Sequence, residues 1–170
     1  SHRAKCRWYP RLFLESFIML YIFDLDHTVI DSSHRQITRA DGSLDLDAWR
    51  KNCTKSQIFR DELLPLARFM RTAICTARVL SKHDYNFLAE KQLITDYILA
   101  RFDGDNRRDD ELKYSKIWNL LTSLKIPRAR WQSSVTLLDD NQSVLRMATN
   151  RLKITAIDAI AKNQEILKNA

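Results

Sequence analysis

Asp24 and Asp26 stand two residues apart, at the point where the apolar run Met19-Leu20-Tyr21-Ile22-Phe23 stops. The run reads as a short buried strand. Strand periodicity sends residues i and i+2 to the same side, so both carboxylates can face one pocket. Two anions held that close repel unless a cation or a shared proton relieves them. Mg²⁺ is the candidate cation, because it takes oxygen ligands and leaves coordination positions for a substrate phosphate. The pair therefore points first to phosphate chemistry.

Three further groups of polar residues follow apolar runs or open a helical pattern. Thr76, Ala77 and Arg78 come after Ala73-Ile74-Cys75, and Asp139, Asp140 and Asn141 come after Val135-Thr136-Leu137-Leu138. Lys113 opens an amphipathic stretch behind Arg107-Arg108-Asp109-Asp110. Each has an ordinary structural explanation: a strand-ending turn for Asp24 and Asp26, a helix cap for Thr76 or for Asp139-Asp140-Asn141, and a solvated charge for Lys113. Their joint occurrence in this order is much harder to explain by structure alone. It favours a phosphoryl-transfer site in which acids hold a cation and Thr76, Arg78 and Lys113 neutralise the phosphoryl group.

The elements that must position these groups alternate along the chain. Strand-like runs fall at 20–23, 72–75, 97–100, 135–138 and 152–157. Amphipathic helical stretches fall at 58–70, 82–91, 112–124, 142–150 and 158–168. Such alternation predicts an α/β fold, a Rossmann-like three-layer sandwich around a central parallel sheet. Open sheets of this kind bind ligands beyond the carboxyl ends of their strands, where the polar residues collect. Residues 31–61 are less regular, with a turn expected at Arg39-Ala40-Asp41-Gly42-Ser43 and a short helix capped by Asp47. They form a small insertion beside the first strand, too short to be a separate domain. Residues 1–18 are basic and aromatic without a clear period and read as a leader, the domain itself occupying 19–170.

Composition narrows the function further. The chain has 170 residues, 45% hydrophobic and 29% charged, which suits one globular domain with a substantial core. With two glycines, Gly42 and Gly104, it has no glycine-rich phosphate loop, which excludes a P-loop NTPase and a dinucleotide fingerprint. Cys6, Cys53 and Cys75 have no metal-type spacing and form no even disulfide set, as expected in a reducing cytoplasm. No apolar stretch reaches the length of about 20 residues that spans a bilayer. A net charge of +7 suits a polyanionic partner such as a nucleotide or nucleic acid.

Asp24-Leu25-Asp26-His27-Thr28, Thr76, Lys113 and Asp139-Asp140 match in order the four motifs of the haloacid dehalogenase (HAD) superfamily of phosphohydrolases, and the chain resembles that superfamily from Leu20 to Ile157. Receiver domains also gather acids, a Thr and a Lys, but in a different order. The segment from Arg101 to Lys113, with Ile117-Trp118 and with Arg78 after the motif Thr, looks more closely like the 3′-phosphatase domain of bacteriophage polynucleotide kinases. Two departures stand out: His27 replaces the usual Gly, a position where His tolerates unusual backbone angles better than most residues, and Asn141 replaces a common Arg.

The resemblance implies that Asp24 is the nucleophile, forming an aspartyl-phosphate, and that Asp26 is the general acid and base. It implies Mg²⁺ held by Asp24, the main-chain carbonyl of Asp26 and Asp140, supported by Asp139. Arg78, which can give phosphate a two-pronged contact, and Asp110, orienting basic side chains, join the substrate side. His34, Arg35 and Arg39 on the insertion, with Arg101, Arg107 and Arg108, are candidates for contacting a nucleic-acid backbone. Trp49 is a candidate base stacker, with core packing its alternative. The expected substrate is a phosphomonoester on a nucleic-acid 3′ end or a nucleotide. Two rivals remain: a small-molecule (deoxy)nucleotidase, and a non-catalytic nucleic-acid-binding module.

Overall fold

The computed structural model describes residues 19–32, 38–45, 48, 57–58 and 70–169. Residues 1–18, expected to form a leader, and His34, Arg35, Asp47 and Trp49 lie outside them. Five strands form one parallel sheet: β1 (Leu20–Phe23), β4 (Arg71–Thr76), β5 (Tyr97–Ala100), β6 (Val135–Asp139) and β7 (Thr155–Asp158), in the order β5-β4-β1-β6-β7. β1 is central. Its Leu20 pairs with Arg71 and Val135, and its Phe23 with Ile74 and Leu138. That register brings the ends of β1, β4 and β6 level, so the polar residues following them emerge together.

Alternation along the strands divides the apolar side chains between two faces. Leu20, Ile22, Ala73, Cys75, Val135 and Leu137 enter one core, with Ile117 and Leu121 of α2 (Asp109–Ser123), Trp131 of α3 (Trp131–Ser134) and Val144 of α4 (Gln142–Met147). Phe23, Ile74 and Leu138 enter the other, with Phe87 and Leu88 of α1 (Lys82–Glu90) and Ile166 of α5 (Ala159–Lys168). Helices on both faces of a parallel sheet make the three layers expected from the alternating pattern.

Two small antiparallel pairings belong to the insertion after β1. β2 (Ile30–Asp31) pairs with β3 (Gln57–Ile58), Ile30 opposite Ile58. Thr38 bridges Leu44 across a turn at Gly42, whose φ of 83° favours glycine, as the Arg39–Ser43 turn requires. Ile58 is therefore a strand residue rather than the start of a helix; residues 59–69 lie outside the described segments.

Local chemistry moves other boundaries. α2 begins at Asp109 rather than Leu112, because Asp109, Asp110 and Glu111 place negative charge on its first turn. α4 ends at Met147, and a wider turn continues through Ala148–Leu152. Lys153 then adopts a left-handed φ of 56°, so the last strand starts at Thr155 and not at Leu152. Among the described residues no helix is long and apolar enough to cross a membrane.

Lys153 is exposed, and a left-handed backbone costs a residue with a Cβ about 1–2 kcal/mol. Glycine at this helix-ending position removes that cost and loses part of the gain to unfolded-chain entropy. Lys153→Gly is expected to stabilise the protein by about 0.5–1 kcal/mol, read as a rise in the urea unfolding midpoint.

Candidate active site

The carboxyl ends of β1, β4 and β6 surround a pocket of about 490 Å³ lined by Asp24, Asp26, His27, Thr76, Arg78, Lys113, Asp139 and Asp140, among others. Asp24 is placed by its own main chain: its N–H donates to the Leu138 carbonyl (2.9 Å), extending the β1–β6 ladder by one residue. Thr76 is the last residue of β4, and Asp139 the last of β6. Lys113 reaches the pocket floor from the second turn of α2.

Lys113 ties these elements together. Its Nζ donates to Asp24 Oδ1 at 2.7 Å and to Asp139 Oδ2 at 2.6 Å, with both carboxylates and the ammonium buried. Asp139 Oδ1 accepts from the Asn141 N–H (2.9 Å), which fixes the turn after β6. Asn141 in turn caps α4, its Oδ1 accepting from the Ser143 N–H (3.0 Å). Capping is thus a physical role for the residue that stands where the 3′-phosphatase pattern commonly has Arg.

Asp24, Asp139 and Asp140 each offer an oxygen within 4.8 Å of the others. Burial pushes the Asp24 carboxyl well above the ordinary carboxylate range, and Asp139 and Asp140 push it further, while Lys113 opposes the rise. Burial likewise raises Asp139 against the pull of Lys113. For Lys113 the balance is reversed: burial disfavours its charge, but Asp24 and Asp139 outweigh it and hold the ammonium protonated. Three acids facing one lysine leave an excess of negative charge that suits a divalent cation. The all-oxygen donor set fits Mg²⁺, a hard cation.

The Asp26 carboxylate is held apart from that acid cluster. Arg78 grips it from two nitrogens, Nε at 3.1 Å from Oδ2 and Nη2 in a short contact with Oδ1, and the Ser32 hydroxyl also donates to Oδ1. Arg78 Nη1 donates to Asp84 Oδ1 at 2.5 Å. Arg78 was expected to face phosphate; its guanidinium is instead engaged by two carboxylates. Any contribution of Asp26 to a metal would therefore come through the main-chain carbonyl that the HAD resemblance implies. His27 has a left-handed φ of 59°, the turn conformation expected where glycine is usual.

The other expected substrate residues are placed differently. Arg108 and Asp110 pair with each other (Nη2–Oδ2 2.8 Å) and line an adjoining groove, while Asp109, like Asn141, lines both groove and pocket. Arg101 fastens the segment after β5, donating to the carbonyls of Ala77, Asp105 and Arg107 and to Asp109 Oδ1. Arg107 pairs with Asp105 (2.7 Å), its hydrogen bond holding that carboxyl at about 2. Arg39 is exposed, 3.8 Å from Asp45. Arg35 and His34 lie outside the described residues.

Sequence reasoning missed Asp84, Ser32 and Asp109 as site residues. Asp84 carried a signal, since Ser81-Lys82-His83-Asp84 has the spacing of a capping box. Nothing in that spacing pairs it with Arg78.

Comparison with known proteins gives a consistent result. The sequence profile of the bacteriophage T5 5′-deoxynucleotidase family matches residues 12–169. A 5′-deoxynucleotidase of Escherichia phage T5 is 40% identical over 42% of this chain and 34% of its own length. The chain spans about a third of that curated relative. Among solved structures, a HAD-superfamily hydrolase of subfamily IA from Geobacter sulfurreducens superposes with a TM-score of 0.59 at 12% identity, covering 84% of this chain and 87% of that one. A hydrolase from Streptococcus pneumoniae gives 0.58 at 13% identity over 89% and 98%. A chain of the Pnkp1/Rnl/Hen1 RNA repair complex gives 0.57 at 20% identity over 84% and 43%. With the HAD fold and its four motif positions gathered at one sheet edge, the chain belongs to the bacteriophage T5 5′-deoxynucleotidase family.

Proposed function

We propose that the protein is a phosphomonoesterase acting on deoxynucleoside 5′-monophosphates through an aspartyl-phosphate on Asp24. The observation that carries the chemistry is the buried Lys113 bridge between Asp24 and Asp139, with Asp140 beside it and the pocket open above. The family match supports the nucleotide, where the 3′-phosphatase resemblance alone favoured a polynucleotide end.

Asp24, Asp140 and the Asp26 carbonyl would hold Mg²⁺, with Asp139 behind them. When bound, the ion supplies positive charge to the phosphoryl oxygens. Lys113 anchors Asp24 Oδ1 and so orients the carboxylate for attack on phosphorus. As the new oxygen–phosphorus bond forms, the ester bond breaks, and the Asp26 carboxyl gives its proton to the departing nucleoside oxygen. Water then attacks the phosphorus of the aspartyl-phosphate, Asp26 takes its proton, and Asp24 and inorganic phosphate are released. Thr76, whose Oγ1 accepts from the Arg78 N–H (3.1 Å), directs its hydroxyl proton to a phosphoryl oxygen, and Lys113 adds its charge. Arg35, Arg108 and Asp110 are kept as candidates for the nucleoside side of the substrate, with Asp109 added, while Arg78 is engaged by Asp26 and Asp84.

A substrate panel tests the reading. Phosphate release is expected from deoxynucleoside 5′-monophosphates with Mg²⁺ and is expected to stop with EDTA. Faster release from a 3′-phosphorylated oligonucleotide would move the assignment to polynucleotide ends, and binding of nucleic acid without release from any substrate would favour the non-catalytic module.

Asp24→Asn is expected to abolish turnover without unfolding the protein, because it removes one anion from a crowded cluster. The sign of its pH dependence follows from the raised Asp24 carboxyl. That group stabilises the metal-free native state below the ordinary carboxylate range, about 4, and the stabilisation is lost as pH rises through the higher folded-state value. In EDTA, the stability difference between Asp24→Asn and wild type should therefore move in favour of the variant as pH rises from about 4. A difference independent of pH across that range would contradict the electrostatic account.

Lys113→Met leaves Asp24 and Asp139 facing each other without their cation. It is expected to eliminate turnover and to cost about 3–5 kcal/mol at neutral pH without metal, measured by urea unfolding. Adding Mg²⁺ should recover part of that loss.

A further inference from the structure

Asp84 lies outside the four motif positions, is buried, and uses its two oxygens for two different tasks. Oδ2 accepts from the Ser81 N–H (2.8 Å) and from the Ser81 hydroxyl (3.0 Å), closing the capping box of α1. Oδ1 accepts from Arg78 Nη1 (2.5 Å). The opposite edge of the same guanidinium grips Asp26 through Nε and Nη2. The line Ser81–Asp84–Arg78–Asp26 runs from the rigid start of a helix to the acid of the pocket.

We propose that Asp84 is a positioning residue for catalysis: it fixes Arg78 so that the guanidinium clasps and aims the Asp26 carboxylate, rather than acting as a phosphate ligand. The inference rests on the phosphatase reading and adds a residue to it. A guanidinium is a planar fork whose two edges are held in fixed relation. Once Asp84 holds Nη1, the plane and direction of the edge facing Asp26 are set. Ser32 also donates to Asp26 Oδ1 and so limits rotation of the carboxylate. Both edges of the Arg78 guanidinium are already taken up, one by Asp26 and the other by Asp84, which suits an internal clasp more than a group that meets incoming substrate.

Cap and clasp separate by mutation. Ser81→Ala weakens the capping box and leaves Asp84 Oδ1 on Arg78. Asp84→Asn keeps a cap acceptor for the Ser81 N–H and removes the charge that holds Arg78. Assays use a deoxynucleoside 5′-monophosphate with Mg²⁺. If wild type is inactive, the phosphatase reading fails before this inference is tested. With active wild type, Asp84→Asn is expected to lower kcat by about 10- to 100-fold, the scale of misplaced acid–base catalysis, with KM within about twofold. Ser81→Ala is expected to lower the melting temperature and keep kcat. Equal kcat for Asp84→Asn and Ser81→Ala would overturn the proposal, as would a rise in KM with kcat intact, which would assign Arg78 to the phosphate.

A measurement on wild type covers the case in which Asp84→Asn does not fold. The Arg78 Nε–H resonance, assigned by its loss in Arg78→Lys, should stay in place when the Mg²⁺-loaded protein is saturated with inorganic phosphate. A large shift would show the guanidinium leaving Asp26 for phosphate and would refute the clasp.

Discussion

A buried ammonium between two buried carboxylates is the interaction on which the rest depends. Lys113 comes from a helix, Asp24 from the central strand and Asp139 from the neighbouring strand. None of the three would be stable in its position alone, because each would be a desolvated charge without compensation. The helix must pack against the sheet at the depth that puts Nζ between the two carboxylates. The residues that set that depth, Ile117 and Leu121 against Leu20, Ile22 and Val135, belong to one core. Packing and site electrostatics are therefore one constraint.

That constraint is deliberately incomplete in charge. Lys113 compensates two acids, and Asp140 brings a third oxygen within reach of both. Burial and mutual repulsion raise the energy of the ionised cluster, which is the property that favours capture of a divalent cation. A fully neutral arrangement would fold more stably and bind a cation less well. Functional sites commonly carry such local cost, supported by the well-packed sheet around them.

A second ionic chain lies across the pocket and is built differently. Asp26, Arg78 and Asp84 alternate in sign and are closely hydrogen-bonded, with the chain ending in a helix cap. In the proposed reading the first cluster would hold a cation and the second would set directions. Separate placement lets the two Asp residues of one short motif do different work, although two positions apart in sequence. Just after the pair, the left-handed His27 turns the backbone so that its N–H donates to the Ile30 carbonyl (2.8 Å).

The parallel α/β fold, the strands at 20–23 and 97–100, and the motif acids were legible in the sequence because they follow from local pattern: apolar runs of strand length, and acids where those runs stop. Asp24, Thr76, Lys113 and Asp139 could be named from order alone. What order could not supply is partnership between side chains on different elements. Arg101, expected to meet nucleic acid, lines the pocket and binds the Ala77 carbonyl beyond β4 and two carbonyls of its own loop, and Arg78 meets Asp26 and Asp84 across separations of 52 and 6 residues. A basic residue carries the same charge whether it faces solvent, substrate or a buried carboxylate. Only the packed fold, by fixing which acceptors lie within hydrogen-bonding distance, decides among them.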